Sequence, residues 1–375
     1  MMSVKVPSVF NKTQKVDDAV TMFVNGQVFQ GWEDLQITRE LNSASGDFQV
    51  QVLDKWRENQ EPWRIQPGDK VELRVAVASV QSEDGNFTIH SGYVDKVSAS
   101  VSSNSRRVTI SGRSKTMDIV DCSVTGENEI SNLNLKQISE KLLAPFGIRT
   151  VFKANPGAAF DKVTVQQGET VFALLDRLAR QRKLIVYPTR FGNLAFDVRG
   201  SVRAGTTLKQ GVNVISGSAE FDNTDRFSEY TTKGQNLSFL GNQSQNTSGQ
   251  GKATDAGVTR FRPMVLVAET TADDATAADR ASYEANIRAA KSQRVEIEVQ
   301  GWFKENGNLW DLNELIPVDC GFLGVRKVML CKKVVLMKNN AGTKATLTLV
   351  RKEAFEFKNE VPKEDNLGWL KGFNS

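Results

Sequence analysis

Acid–base or nucleophilic chemistry in this chain would have to run through one imidazole. His90 is the only histidine in 375 residues, and it sits mid-strand beside Ile89. A Ser-His-Asp relay needs an imidazole between nucleophile and carboxylate, so His90 would have to serve alone. A His-rich metal site is excluded by the count. The plainer reading is a packed or surface strand histidine. Two carboxylates near a segment edge, Asp118 and Asp121, could share the acid and base roles of a glycosidase, which needs two carboxyls several ångströms apart. Solvated turn residues are the plainer reading of that pair. No G-x-S-x-G elbow and no G-x-x-x-x-G-K-[ST] phosphate loop occurs. Cys122, Cys320 and Cys331 are an odd set without tight spacing. They make no disulfide framework and no zinc site, and their apolar neighbours predict buried free thiols in a protein made in a reducing cytoplasm. No catalytic, cofactor-binding or metal-ligating residue is assigned from these patterns.

Two further groups could touch nucleic acid. Phe23, Phe29, Phe48, Phe87 and Tyr93 lie on strand-like runs and could stack bases, as in single-strand-binding barrels. Their alternation with polar residues fits core filling better. The basic residues Arg106, Arg107, Arg113 and Lys115 could line a channel or meet phosphate, but they also fit a solvated strand face. The whole chain carries 48 basic and 44 acidic residues, a net charge of +4. That near-balance argues against a nucleic-acid grip, which needs a concentrated basic face. It suits a channel through which DNA passes. Six tryptophans, Trp32, Trp56, Trp63, Trp302, Trp310 and Trp369, lie near turn signals and are candidates for core or subunit-interface anchors.

The elements that would position these residues are mostly strands. Val20 to Val24 runs into Asn25-Gly26, a strong hairpin signal. Phe48, Val50 and Val52 alternate with polar residues, as do Val71, Leu73, Val75 and Val77. Strand patterns continue over 88–97 and 107–111. Helical spacing appears at Leu135, Ile138, Leu142 and Leu143. It returns at Val171, Leu174, Leu175 and Leu178, where Thr170 can cap. Strands resume from about residue 211, with Val295 to Val299 alternating plainly. The chain therefore divides into a flexible N-terminal arm (1–18), a first β-barrel domain (19–121), an α+β domain (122–205), a second β-barrel domain (206–357) and a C-terminal tail (358–375). Within the second barrel domain, the Gly-, Ser-, Asn- and Gln-rich stretch 234–257 predicts a mobile loop. Residues 272–292 predict an exposed helix with Tyr283, Ile287 and Ala290 as its contact stripe. No run reaches the roughly 18 apolar residues of a membrane span, and the N-terminus lacks the apolar core of a signal peptide.

Two stretches echo each other at a constant offset of 237 residues, with Lys96, Val97, Thr109 and Ile110 falling on Lys333, Val334, Thr346 and Leu347. Each reads as a hairpin closing an antiparallel unit, so the fold class is mainly β with an α+β insert between two related antiparallel β-barrel domains. A trimer of such chains would present six similar faces in a pseudo-six-fold ring, suited to a six-fold partner.

Several motifs in order resemble the baseplate hub proteins of Mu-like contractile-tailed phages. They are Gly31-Trp32, Ile37 to Phe48 (ITRELNSASGDF), Ser91 to Asp95 (SGYVD) and Ser111 to Cys122 (SGRSKTMDIVDC). Gly168 to Phe172 (GETVF), Arg177 to Arg182 (RLARQR), Glu284 to Ser292 (EANIRAAKS), Gly301-Trp302 and Leu309-Trp310 continue the likeness across about residues 20 to 355. The wider superfamily holds the late control gene D proteins of P2-like phages, the T-even hub and the type VI secretion spike base. The resemblance implies a structural homotrimer and no enzyme. It implies a virion tail baseplate component, assembled in the bacterial host cytoplasm, with the tail tube, other baseplate proteins and a central membrane-piercing spike as partners. DNA would meet it only in transit, with no cofactor and no stable membrane insertion. Some relatives carry an attached lysozyme or spike domain, and this chain is expected to lack one. A tail-tip cell-wall hydrolase and a nucleic-acid-binding barrel protein are the rival readings. Lysis of peptidoglycan by the purified chain would favour the first, and salt-dependent binding of single strands the second.

Overall fold

The computed structural model describes residues 20–29, 33–41, 43–53, 65–76, 86–103, 106–126, 128–233, 250–267 and 274–355. The first part of the chain is all strand: β1 (Val20–Val24), β2 (Gln27–Phe29), β3 (Asp34–Glu40), β4 (Gly46–Leu53), β5 (Lys70–Ala76), β6 (Asn86–Val101) and β7 (Arg106–Ser114). Asn25 and Gly26 both take positive φ, 48° and 82°, the backbone that a two-residue hairpin matched to strand twist requires. The alternation read from the sequence is the burial pattern found: Val20, Met22 and Val24 are buried, as are Val71, Leu73 and Val75. β3 was not legible, because its third inward position is Arg39, a buried charge where alternation calls for an apolar residue.

A short helix, α1 (Asp118–Asp121), leads into a mixed unit of β8 (Glu129–Leu133), α2 (Leu135–Leu143), β9 (Thr150–Phe152), β10 (Phe160–Thr164), α3 (Val171–Gln181), β11 (Ile185–Pro188) and β12 (Leu194–Asp197). Both longer helices start on side-chain caps. Asn134 and Gln137 form a reciprocal capping box, and Thr170 Oγ1 accepts from the Ala173 N–H at 3.2 Å. The stripe expected on the second helix is buried, with Leu174 and Leu175 fully so. This unit has a hydrophobic cluster of its own.

The chain then returns to strands: β13 (Val202–Arg203), β14 (Leu208–Lys209), β15 (Val214–Phe221), β16 (Glu229–Lys233), β17 (Gln250–Thr254) and β18 (Pro263–Val267). After α4 (Asp274–Lys291) come β19 (Gln293–Gln300), β20 (Glu314–Cys320), β21 (Val325–Asn339) and β22 (Gly342–Val350). The loop expected over 234–257 needs correction at its end. Residues 234–249 lie outside the described set, but β17 pairs antiparallel with β16. The glycine that suggested a loop is what lets α4 sit on this strand: a Cβ on Gly251 would lie 1.9 Å from the Ala278 nitrogen. The contact stripe of α4 also differs from the expected one. Ala277, Ala281, Ala285 and Ala290 are buried, while Tyr283 and Ile287 are half-buried, because close approach to β17 selects the smallest side chains. The arm and the tail lie outside the described residues, as do Trp32, Trp56, Trp63 and Trp369.

One sheet carries the molecule. Its path runs β15-β19-β22-β21-β3-β4-β7-β6-β5-β1-β2, with β20 on the N-terminal half of β21 and β13 and β14 on β20. β13 lies inside the span expected for the α+β domain but pairs with β20. Among the described residues β2 pairs with no strand of the path but β1, and β15 with none but β19, so the described sheet is open at both ends. A single hydrophobic cluster runs under the strands of both halves.

Candidate functional site

The groups that could have done chemistry are held apart or tied up. His90 is 1% exposed and tilted against Phe48 at a ring separation of 5.1 Å. Burial, and then the charge of Arg39, pushes its imidazole down to about 3, so it is neutral and unavailable as a general base at neutral pH. Asp118 and Asp121 share α1, but Asp121 is held by Arg113 at 3.1 Å, and Arg113 also grips Asp95 at 2.6 Å. Burial raises the Asp118 carboxyl against the pull of Arg113. The result is an ion-pair chain locking β6, β7 and α1. The basic cluster is split as well. Arg106 and Arg107 are exposed at one end of β7, while Arg113 is engaged at the other and Lys115 is half-buried. The strand aromatics fill or flank the core. Phe48 is buried, Phe87 meets Phe303 edge-on at 5.9 Å, and Arg190 lies 3.8 Å over the Phe87 ring. Trp302 and Trp310 are buried, and the Trp302 indole N–H donates to the Met337 and Lys344 carbonyls. Cys320 and Cys331 are buried as expected, whereas Cys122 is exposed, because it ends α1 at the surface. Among the described residues no group of three His, Cys, Asp or Glu side chains is poised to hold a metal. No described helix is long and apolar enough to cross a membrane.

What the fold does build is a joint between two copies of one module. Four consecutive strands in each half pair in the same order, β4-β7-β6-β5 and β19-β22-β21-β20. The β6–β7 and β21–β22 hairpins share their register. Val97 faces Ile110 and Val334 faces Leu347, at the offset of 237 seen in the sequence. Each hairpin carries a register shift, between Val94 and Lys96 and between Cys331 and Lys333, so the bulged residues Asp95 and Lys332 also stand 237 apart. A bulge re-aims the strand at one defined place, and finding it twice makes the echo a repeat of structure. Each module has a fifth strand on its leading side: β3 pairs with β4, and β15 with β19.

The two modules meet where β3 pairs with the C-terminal half of β21, from Lys333 opposite Glu40 to Lys338 opposite Leu35. Val334, Leu336, Leu35 and Ile37 are buried across the joint. Arg39 crosses it to Asp311 at 2.6 Å, and the Arg39 charge holds the Asp311 carboxyl below its usual range against the cost of burial. A second polar cluster fastens the α+β unit to the same module. Asn313, at a φ of 62°, donates from Nδ2 to the Val198 carbonyl at 2.8 Å and to Asp197 at 3.2 Å, and it accepts from the Gly200 N–H. The fully buried Asp197 also accepts from the Tyr187 hydroxyl at 3.1 Å. Burial and that carboxylate push the Tyr187 phenol up, which keeps it a donor. Sequence reasoning missed Arg39, Asp197 and Asn313.

Comparison with known proteins finds relatives over most of the chain. Residues 19–114 match the N-terminal domain of the Mu phage baseplate assembly protein GpP-like family. Residues 116–197 match the second domain of baseplate hub protein gp44-like proteins, and residues 273–358 match the fourth domain of baseplate assembly protein GpP. The chain is 32% identical to baseplate hub protein gp44 of Escherichia phage Mu, over 91% of this chain and 89% of that protein. A 43 kDa tail protein of prophage MuSo2 from Shewanella oneidensis superposes with a TM-score of 0.76 at 31% identity, covering 90% of this chain and 99% of the other. A tail protein from Neisseria meningitidis MC58, at 22% identity, shares the fold with a TM-score of 0.70, over 90% of this chain and 97% of that one. Matched at 32% identity across nine-tenths of its length, the chain belongs to the baseplate hub proteins of Mu-like phage tails.

Proposed function

We propose that this hub works as a trimeric ring in which two modules per chain make six similar positions around a channel. One face seats the six-fold tail tube, the other holds the central membrane-piercing spike, and the genome passes through the bore at ejection. The role is structural. It consists of converting threefold to sixfold geometry, and it needs binding surfaces and rigidity instead of a reactive centre. The observation that carries this reading is the duplicated module, with its shared strand order, register and bulge. Three chains with two equivalent modules each give six quasi-equivalent elements, and a head-to-tail contact that repeats around an axis closes into a ring. The near-neutral charge balance fits a bore that does not retain DNA. Native mass spectrometry of the purified chain at micromolar concentration tests the ring. The expected mass is three times that of the chain, and a clean monomer would overturn the proposal.

A further inference from the structure

Among the described residues the intrachain joint has two counterpart edges that no strand fills, one on β6 and one on β15. In the joint, the C-terminal half of β21 takes β3 as its neighbour. The same stretch of the first module, Lys96 to Val101 on β6, pairs with β7 on one side and with no described strand on the other. The matching partner strand of the second module is β15, which pairs with β19 and ends the sheet path. Open strand edges of this kind are templates for adding another strand.

The register follows from the repeat. Ile37 lies opposite Phe48, which lies opposite Gly112. Ala219 lies opposite Val295, which lies opposite Leu349, and Gly112 and Leu349 are 237 apart. Ala219 therefore holds the place of Ile37, and Ala99 that of Leu336. Since Ile37 faces Leu336 in the joint, Ala99 should face Ala219. Lys96 then faces Asp222, repeating the Lys333–Glu40 pair in charge. The side-chain pattern supports this register. On the core side of the joint stand Val334, Leu336, Leu35, Ile37 and Arg39, all buried. The corresponding residues are Val97 and Ala99 on β6 and Gly217, Ala219 and Phe221 on β15, with Val101 in the place of the half-buried Lys338. All six are apolar or glycine, yet Val101 is 75% and Phe221 60% exposed in the single chain. The residues between them, Lys96, Ser98 and Ser100 with Ser218, Glu220 and Asp222, are polar. Strict alternation on an edge whose outermost apolar residues, Val101 and Phe221, stay exposed is what a strand looks like before its partner arrives.

We propose that β15 of one copy adds antiparallel to the C-terminal half of β6 in the next copy, with Ala99 opposite Ala219. This rests on the ring reading and adds which edges meet and in what register. Three such seams alternate with the three intrachain joints, so the sheet runs unbroken around the ring.

Disulfide trapping reads the register directly. With the exposed Cys122 replaced by serine, two full-length variants place cysteines in register, Ala99→Cys with Ala219→Cys and Ser98→Cys with Glu220→Cys. A third, Ser98→Cys with Ala219→Cys, is out by one residue. Opposed residues bring their Cβ atoms to about 4.5–5.5 Å, close to disulfide reach, whereas a one-residue slip sends the side chains to opposite faces. Mild oxidation should convert at least one in-register variant to covalent dimers and trimers at roughly tenfold the yield of the control. The reduced samples, weighed by native mass spectrometry, show whether the ring formed. Trimers with no in-register cross-link, or with the control cross-linking equally, overturn the seam and leave the ring reading standing. Monomers overturn both.

Discussion

His90 shows how a residue that suggests chemistry can serve packing instead. Its ring is buried against Phe48, its Nε2 has no hydrogen-bond partner, and burial holds it neutral down to about pH 3. In the unfolded chain an imidazole ordinarily titrates near 6.5. The unfolded state therefore binds a proton between those values that the folded state refuses. Stability is complete above about 6.5 and falls as the pH drops toward 3. Between pH 7 and 5, where most carboxylates stay ionised, the loss from His90 alone should be about 2 kcal/mol. Denaturant melts of the wild type and of His90→Leu at both pH values measure it. The variant should lose most of the pH dependence, and equal slopes would show that the imidazole titrates freely in the folded state. That His90 is a strand residue and no catalyst was the plainer reading of the sequence, which left open whether it is packed or at the surface. The partner that further disfavours its charge, Arg39, was not legible, since Arg39 reaches it across the sheet from a strand hidden by its own charge.

At the scale of elements, legibility followed how each face is buried. Strands with one wet face, such as β1 and β5, announced themselves by alternation, and α3 by its leucine stripe and threonine cap. Elements built on close approach did not. β17 read as loop because its composition lacks large apolar residues, yet glycine is what its contact with α4 requires. Of the alanine stripe of α4 only Ala290 was expected, for the same reason: a helix seated this closely on a strand buries backbone and methyl groups rather than long side chains. The repeat was legible only at its hairpins, where matching residues flank matching bulges. The equivalence of β3 and β15 shares no sequence and emerged from pairing alone. Gly251→Ala tests the packing claim. With backbone of α4 in the way on a strand held by β16, the added methyl forces a shift and should cost about 1–3 kcal/mol in chemical denaturation. An unchanged midpoint would show that the helix does not rest on the strand.

At the scale of the molecule, the two modules are halves of one sheet over one hydrophobic cluster, while the α+β unit keeps a second cluster. In the proposed ring this arrangement would matter for carrying load between tube and spike, because a rigid joint passes force that a flexible linker would absorb. It also has a thermodynamic consequence. If β3 and β21 truly fuse the modules, damage to the first should loosen the second. Gly112→Ala is a suitable lesion: the new methyl would fall 2.0 Å from the Tyr93 carbonyl oxygen and 2.7 Å from the Phe48 ring, deep in the first module. Native-state hydrogen exchange resolves the response by element, since amides that open together share an opening free energy. Amides of β7 and β22 should exchange faster by the same factor in the variant, although β22 lies in the other half of the chain, and amides of α3 should change little. Faster exchange confined to β7 would mean that the modules open independently and that the joint is a contact between two separate folding units, too soft to hold six positions in register around an axis.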